Sequence, residues 1–298
     1  MQFLYKIPGY ILLLFGGFCL SWGGFIVRSF EQSTVWEILF LRSFFFLLAL
    51  SVFLISIYKK NTFKIIKESG YPAVLGGLIM SFSFVAFVVA MTNTTVANVV
   101  FIISTQTMFL AIFGYFYLKE KVSLIGSSSI FLAMSGIVIM VGDSISTGSL
   151  FGNLVALAIP INFAIYVMII RKNSKLDMVP AMFYSGIFSL IYGYFLSESF
   201  DFTQHDIFMG FLLGVPQLAL GFICITIGSR TTASATVGLL MLMETLCAPL
   251  WVWLFLNEIP PMSVFIGGVV IISAIILKIY IAHAPSCSSF RITATMYS

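Results

Sequence analysis

The chain has 298 residues, 60% of them hydrophobic and 9% charged, with a formal net charge of +4 and a mean hydropathy of +1.09. That much apolar side chain excludes a water-soluble globular protein and places the chain in lipid, which solvates such surface. The positive charge forms no basic run interleaved with aromatics, which argues against a nucleic-acid partner. Cys19, Cys224, Cys247 and Cys287 form no CxxC pair and no His/Cys set at ligand spacing, which argues against a zinc centre or a disulfide framework.

Apolar segments run over residues 9–27, 36–57, 72–91, 96–118, 123–141, 149–170, 180–197, 206–228, 233–256 and 262–282. Each approximates the ~20 residues that cross ~30 Å of hydrocarbon as a helix. The predicted fold is therefore an all-α integral membrane protein with ten transmembrane helices. The first segment passes Trp22 and Gly23-Gly24 to Arg28 without an A-x-A-like cleavage site, so it reads as a retained helix rather than a signal peptide. In the second, Arg42 lies six residues in from Trp36, an interfacial anchor. The fourth carries Asn98, Thr105 and Gln106 at a spacing that puts them on one helical face. Pro160 and Asn162 interrupt the sixth, with Tyr166 one turn beyond Asn162. Pro216-Gln217 interrupts the eighth, where a proline frees a backbone carbonyl that water, a side chain or a ligand must satisfy. Glu244 sits near the centre of the ninth. After the tenth, the tail is short and polar.

Thirteen of the fifteen Lys and Arg residues fall on alternate connections: Lys6, Lys59, Lys60, Lys64, Lys67, Lys119, Lys121, Arg171, Lys172, Lys175, Arg230, Lys278 and Arg291. By the positive-inside rule that side is the cytoplasm, and both termini lie there. Shifting the sequence by 138 residues brings Thr94–Glu120 onto Thr232–Glu258, with Thr94, Ala97, Val99, Thr107, Leu118 and Glu120 meeting identical residues and Gln106 meeting Glu244. The paired exits Leu118-Lys119-Glu120 and Leu256-Asn257-Glu258 weigh most, because charged positions are rare here. A five-helix repeat is odd-numbered, so its second copy enters the membrane upside down. Inverted repeats of this kind are a transporter architecture, with substrate near the midplane between the copies. The expected division is a first repeat over 1–142, a second over 143–283, and a polar cytoplasmic tail over 284–298.

"LSWGGFIVRS" (Leu20 to Ser29), "EILFLRSFFF" (Glu37 to Phe46), "LKEKVS" (Leu118 to Ser123) and "LNEIPP" (Leu256 to Pro261), set on this ten-helix plan, resemble the drug/metabolite transporter superfamily, and within it the EamA-like branch of two five-helix repeats. The resemblance spans about residues 9–282. It implies export or exchange of amino acids and related small metabolites without ATP hydrolysis. The family's pattern carries a proline about nine residues before the glutamate that ends the fourth helix of each repeat. Pro249 supplies it in the second half and Ala111 replaces it in the first, so a bend is expected there in one half only.

A charge at the bilayer centre costs at least ~3 kcal/mol when unpaired. Glu244 should therefore face a cavity, carry a partner or hold a proton. A carboxyl that gains and loses a proton as a cavity opens to alternate sides is what proton coupling requires; the plain alternative is a protonated Glu bonded to a neighbouring carbonyl. Arg42 suits bidentate capture of a carboxylate, and equally a structural ion pair with Glu244. The candidate substrate-binding residues are Trp22 as an aromatic wall, Arg42, Asn98, Gln106, Asn162, Tyr166, Gln217 and Glu244, with Glu244 also proton-coupling. Each polar one has a structural reading as helix-to-helix glue, at ~0.6 kcal/mol apiece. Together they place a moderately polar cavity among helices four, six, eight and nine.

The reading is a secondary active transporter, an exporter or exchanger in the cytoplasmic (inner) membrane, moving a small amphipathic metabolite such as an amino acid by alternating access. The alternative is an integral membrane enzyme acting on a lipid or isoprenoid. Such enzymes need clustered Asp, His or Glu at one membrane face, and the two histidines, His205 and His283, fall on opposite sides. No catalytic residue, metal or cofactor is expected, and no phosphate-cradling Gly-rich loop points to an ATP-driven pump. Expected partners are the small-molecule substrate and membrane lipids, with a homodimer left open.

Overall fold

The computed structural model describes residues 6–120, 124–141, 149–256 and 262–283. The expected repeat boundary at 142/143, Glu258 at the end of the ninth segment, and the tail 284–298 lie outside them. The described residues form helices joined by turns and short connections, without strands. In chain order they form α1 (Gly9–Leu20), α2 (Gly23–Arg28), α3 (Val35–Tyr58), α4 (Thr62–Glu68), α5 (Gly70–Asn93), α6 (Val96–Ser104), α7 (Gln106–Leu118), α8 (Leu124–Val141), α9 (Leu150–Ala156), α10 (Ala158–Lys172), α11 (Val179–Leu196), α12 (Gln204–Leu212), α13 (Leu220–Ser229), α14 (Ser234–Leu256) and α15 (Met262–His283). Eight helical stretches among the described residues are long and apolar enough to cross a membrane, and two shorter apolar ones lie at Gly126–Ile139 and Phe265–Leu277.

Several spans are broken midway, and the sequence explains most of the breaks. Pro160 has no amide to offer the carbonyl of Ala156, where α9 ends. Pro216 has none for Leu212, and the chain widens into π-helical turns over Leu213–Ala219 before α13 resumes. At Thr105 the amide bonds to the Ile102 carbonyl at 3.1 Å and its own hydroxyl donates to the same oxygen at 2.6 Å. That local competition ends α6 and restarts the chain as α7. The two halves differ at this break: α14 runs through Pro249 as one helix, whereas its counterpart in the first half divides at Thr105. The break also splits the Asn98–Thr105–Gln106 stripe, because the phase of the helix changes between its members.

Packing pairs the two halves. α8 lies on α15 and α3 on α11; α1 packs on α13 and α14, while α10 packs on α5 and α7. Exchanging the halves maps this pattern onto itself. α6 and α14 start 138 residues apart. Glycine permits close crossings: a Cβ on Gly238 of α14 would stand 2.7 Å from Thr107 Cα of α7, and Thr107 Oγ1 donates to the Gly238 carbonyl at 3.1 Å. Large side chains such as Leu124, Phe131 and Phe195 stay more than three-quarters exposed on the outside, which suits lipid.

Candidate substrate cavity

Midway through the bundle is a cavity of about 50 Å³. Its walls are apolar and largely aromatic: Phe84 and Phe87 from α5, Phe163 from α10 and Phe222 from α13, with Met80 and Met241. Five polar side chains face it: Arg42 from α3, Ser83 from α5, Gln106 from α7, Gln217 from the widened turns and Glu244 from α14. Gln106, Gln217 and Glu244 each sit about halfway along their spans.

The hydrogen bonds these groups do not make define the site. Arg42, 1% exposed, donates from Nη2 to the Phe84 carbonyl at 3.0 Å. Its guanidinium carbon lies 5.0 Å from the Phe84 ring centroid and 5.7 Å from that of Phe87, within cation–π range. Its Nε has no partner. Gln217 donates from Nε2 to the Leu20 carbonyl at 3.2 Å, and its Oε1 is buried without a partner, as is Ser83 Oγ. Glu244, 8% exposed, has no hydrogen bond or ion pair among the described residues, and the Arg42–Glu244 pair is not formed within 4.0 Å. Buried polar groups left unpaired are expensive, and buried charges more so. A cavity that gathers an acceptor, a hydroxyl, a guanidinium and a carboxyl in that condition is chemically prepared for a ligand that both accepts and donates.

The remaining candidates are placed elsewhere. Trp22 stacks on Trp251 at 3.8 Å between ring centroids, next to Phe255, and leaves the cavity wall to its neighbour Leu20. Asn98 donates to Thr94 Oγ1 at 3.3 Å, within a network where Thr94 also bonds to Asn153 and its carbonyl accepts from Arg28. Tyr166 is buried, and its hydroxyl pairs with Thr226 Oγ1 at 2.8 Å, joining α10 to α13. Asn162 is half-buried on α10, outside the lining. The cavity draws on α1, α3 and α5 as well as the helices expected. Ser83 and the phenylalanine walls went unread in the sequence, where one serine in an apolar run and four of thirty-two phenylalanines carry no distinguishing mark.

The EamA-like transporter family profile matches residues 7–142 and again 150–280. The chain belongs to the EamA-like transporter family. The two matches fall on the two halves whose helices pair by exchange, and they bear out the likeness to the drug/metabolite transporters. An "Uncharacterized transporter" of Clostridium kluyveri is 26% identical over 224 residues, covering 71% of this chain and 72% of that one. A solved crystal structure shares the fold at a TM-score of 0.75 and 15% identity, covering 92% of this chain and 97% of its own. The chain is thus a multi-pass membrane transporter of the EamA-like type.

Proposed function

We propose that the chain is a secondary active carrier in the cytoplasmic (inner) membrane, exporting or exchanging a small amphipathic metabolite such as an amino acid by alternating access. The observation that carries this reading is the group of buried, unpartnered polar atoms on Arg42, Ser83 and Gln217 that faces, together with the Glu244 carboxyl, one aromatic-walled cavity midway through the bundle. We place ten crossings with both termini in the cytoplasm, as the alternation of Lys and Arg requires. The repeats are 1–142 and 143–283, inserted in opposite senses. The exchange symmetry of the helix pairs supports that division, as do the widened turns at Pro216, since irregular backbone at membrane depth lines cavities.

A void of about 50 Å³ holds a few waters, so a metabolite enters only as helices part. Rocking of one repeat against the other supplies that opening. Arg42 and Gln217 orient the solute, the phenylalanines take its apolar part, and Glu244 exchanges a proton with whichever side is open.

The test is uptake and counterflow in proteoliposomes over amino acids, organic acids, quaternary amines and nucleotide sugars. At least one class exchanges. Glu244→Gln keeps counterflow but loses gradient-driven accumulation and its dependence on pH. A variant that accumulates solute as the parent does at every pH and gradient removes the proton-coupling role.

A further inference from the structure

Each half of the chain extends a carboxylate that grips the other half, and the two grips lie at opposite ends of the bundle. The first is Glu120. At the end of α7, Lys119 adopts a left-handed conformation with φ 56°, which turns the chain back so that the Glu120 amide bonds to the Gly114 carbonyl at 3.1 Å. The side chain is thereby aimed across the halves. Glu120 Oε1 accepts from Arg171 Nε of α10 at 2.7 Å and also from Arg171 Nη2. Glu120 Oε2 accepts from the Ser234 amide at 2.9 Å, at the positive N-terminus of α14. Arg171 Nη1 continues to the carbonyls of Ser229 and Thr232. Gly114 makes room, since a Cβ there would lie 3.2 Å from Glu120 Oε2 and 3.0 Å from Ser234 Cβ.

The second grip is Asp206, in the first turn of α12. Its oxygens accept from the amides of Glu31 at 3.0 Å, Gln32 at 3.3 Å and Ser33 at 3.1 Å, and from Ser33 Oγ at 2.7 Å. Beside it, His205 Nε2 bonds to the Ser29 carbonyl at 2.8 Å. A second-half acid thus holds the turn between α2 and α3 of the first half. Asp206 and Ser229 mark the two ends of one membrane span, Gln204–Ser229, a helical rise of roughly 35 Å apart.

What each grip holds matters most. Glu120 fastens the start of α14, the helix that carries Glu244; Asp206 fastens the start of α3, the helix that carries Arg42. We infer that Glu120 with Arg171 and Asp206 with the 31–33 turn are the two gates of the transport cycle, released one at a time, the first opening Glu244's side of the cavity to the cytoplasm and the second opening Arg42's side to the exterior. The inference rests on the carrier reading above and assigns residues that take no part in solute contact.

The test reads accessibility and needs no solute. In a background with Cys19, Cys224, Cys247 and Cys287 replaced by Ala, Met241→Cys in the cavity wall is labelled by a membrane-impermeant methanethiosulfonate in right-side-out and inside-out vesicles. Glu120→Ala speeds labelling about tenfold from the cytoplasmic face alone, and Asp206→Ala does so from the outer face alone, as a shift of one gate's closed population requires. Arg171→Gln, which breaks the first grip from a different helix, reproduces the sidedness of Glu120→Ala and stands in for it if that variant fails to fold. Unchanged rates, acceleration from both faces at once, or the same face for both acids would overturn the assignment. An empty solute screen defeats the carrier reading and leaves this measurement interpretable.

Discussion

Glu120 with Arg171 and Glu244 with Arg42 use the same two side-chain types in the same bundle to opposite effect. At the end of the helices the carboxylate is saturated by a guanidinium and a helix-terminal amide, and the guanidinium passes its spare donors to two carbonyls. At mid-depth the carboxyl has no partner among the described residues, and the guanidinium keeps one bond to the Phe84 carbonyl with its Nε unmatched. Burial makes the second arrangement costly and the first favourable. Polar groups at the ends are committed to holding helices together; those in the middle retain bonding capacity for something that comes and goes.

The contrast breaks if the two arginines behave alike on substitution. Arg42→Met leaves thermal stability in detergent within about 1 kcal/mol of the parent, because it removes a charge that is poorly compensated. Its counterflow nonetheless falls about a hundredfold, the loss of charged hydrogen bonds to the solute. Glu120→Ala does the reverse to stability. It strips the N-terminus of α14 and strands Arg171, lowering stability by on the order of 2 kcal/mol in the same melting assay. A smaller effect sharpens the boundary of the cavity: Ser83→Ala removes one unpaired hydroxyl, raising KM about fivefold with kcat retained, as loss of roughly one neutral hydrogen bond entails. Smallest is Tyr166→Phe, which deletes the bond to Thr226 outside the cavity. It costs ~0.6 kcal/mol of stability and leaves transport within about twofold.

Much of this architecture is legible in the sequence. Apolar runs of membrane length, proline interruptions and rare embedded charges are one-dimensional signals, and Arg42, Gln106, Gln217 and Glu244, which they single out as candidates, line one cavity. Facing was not legible. These helices are apolar on every side, so no amphipathic stripe tells lipid from interior, and Ser83, Phe84 and Phe163 look like their neighbours. Asn98 and Gln106 share a face on an ideal helix but part company once Thr105 bonds locally and breaks the span. The end grips were hidden for another reason. Arg171 reads as a topogenic charge, Glu120 as a marker of repetition and Asp206 as part of no motif, and only packing in three dimensions joins each to a partner more than fifty residues away.

In the proposed carrier a solute is held between the two halves by groups the protein leaves unpaired. The most direct measurement is counterflow of a labelled solute from the four-class screen in proteoliposomes of the parent and of Arg42→Met, matched for amount and for melting temperature. The expected result is exchange by the parent and about a hundredfold less by the variant at unchanged stability. Equal exchange by both, or none by the parent with any class, would contradict it.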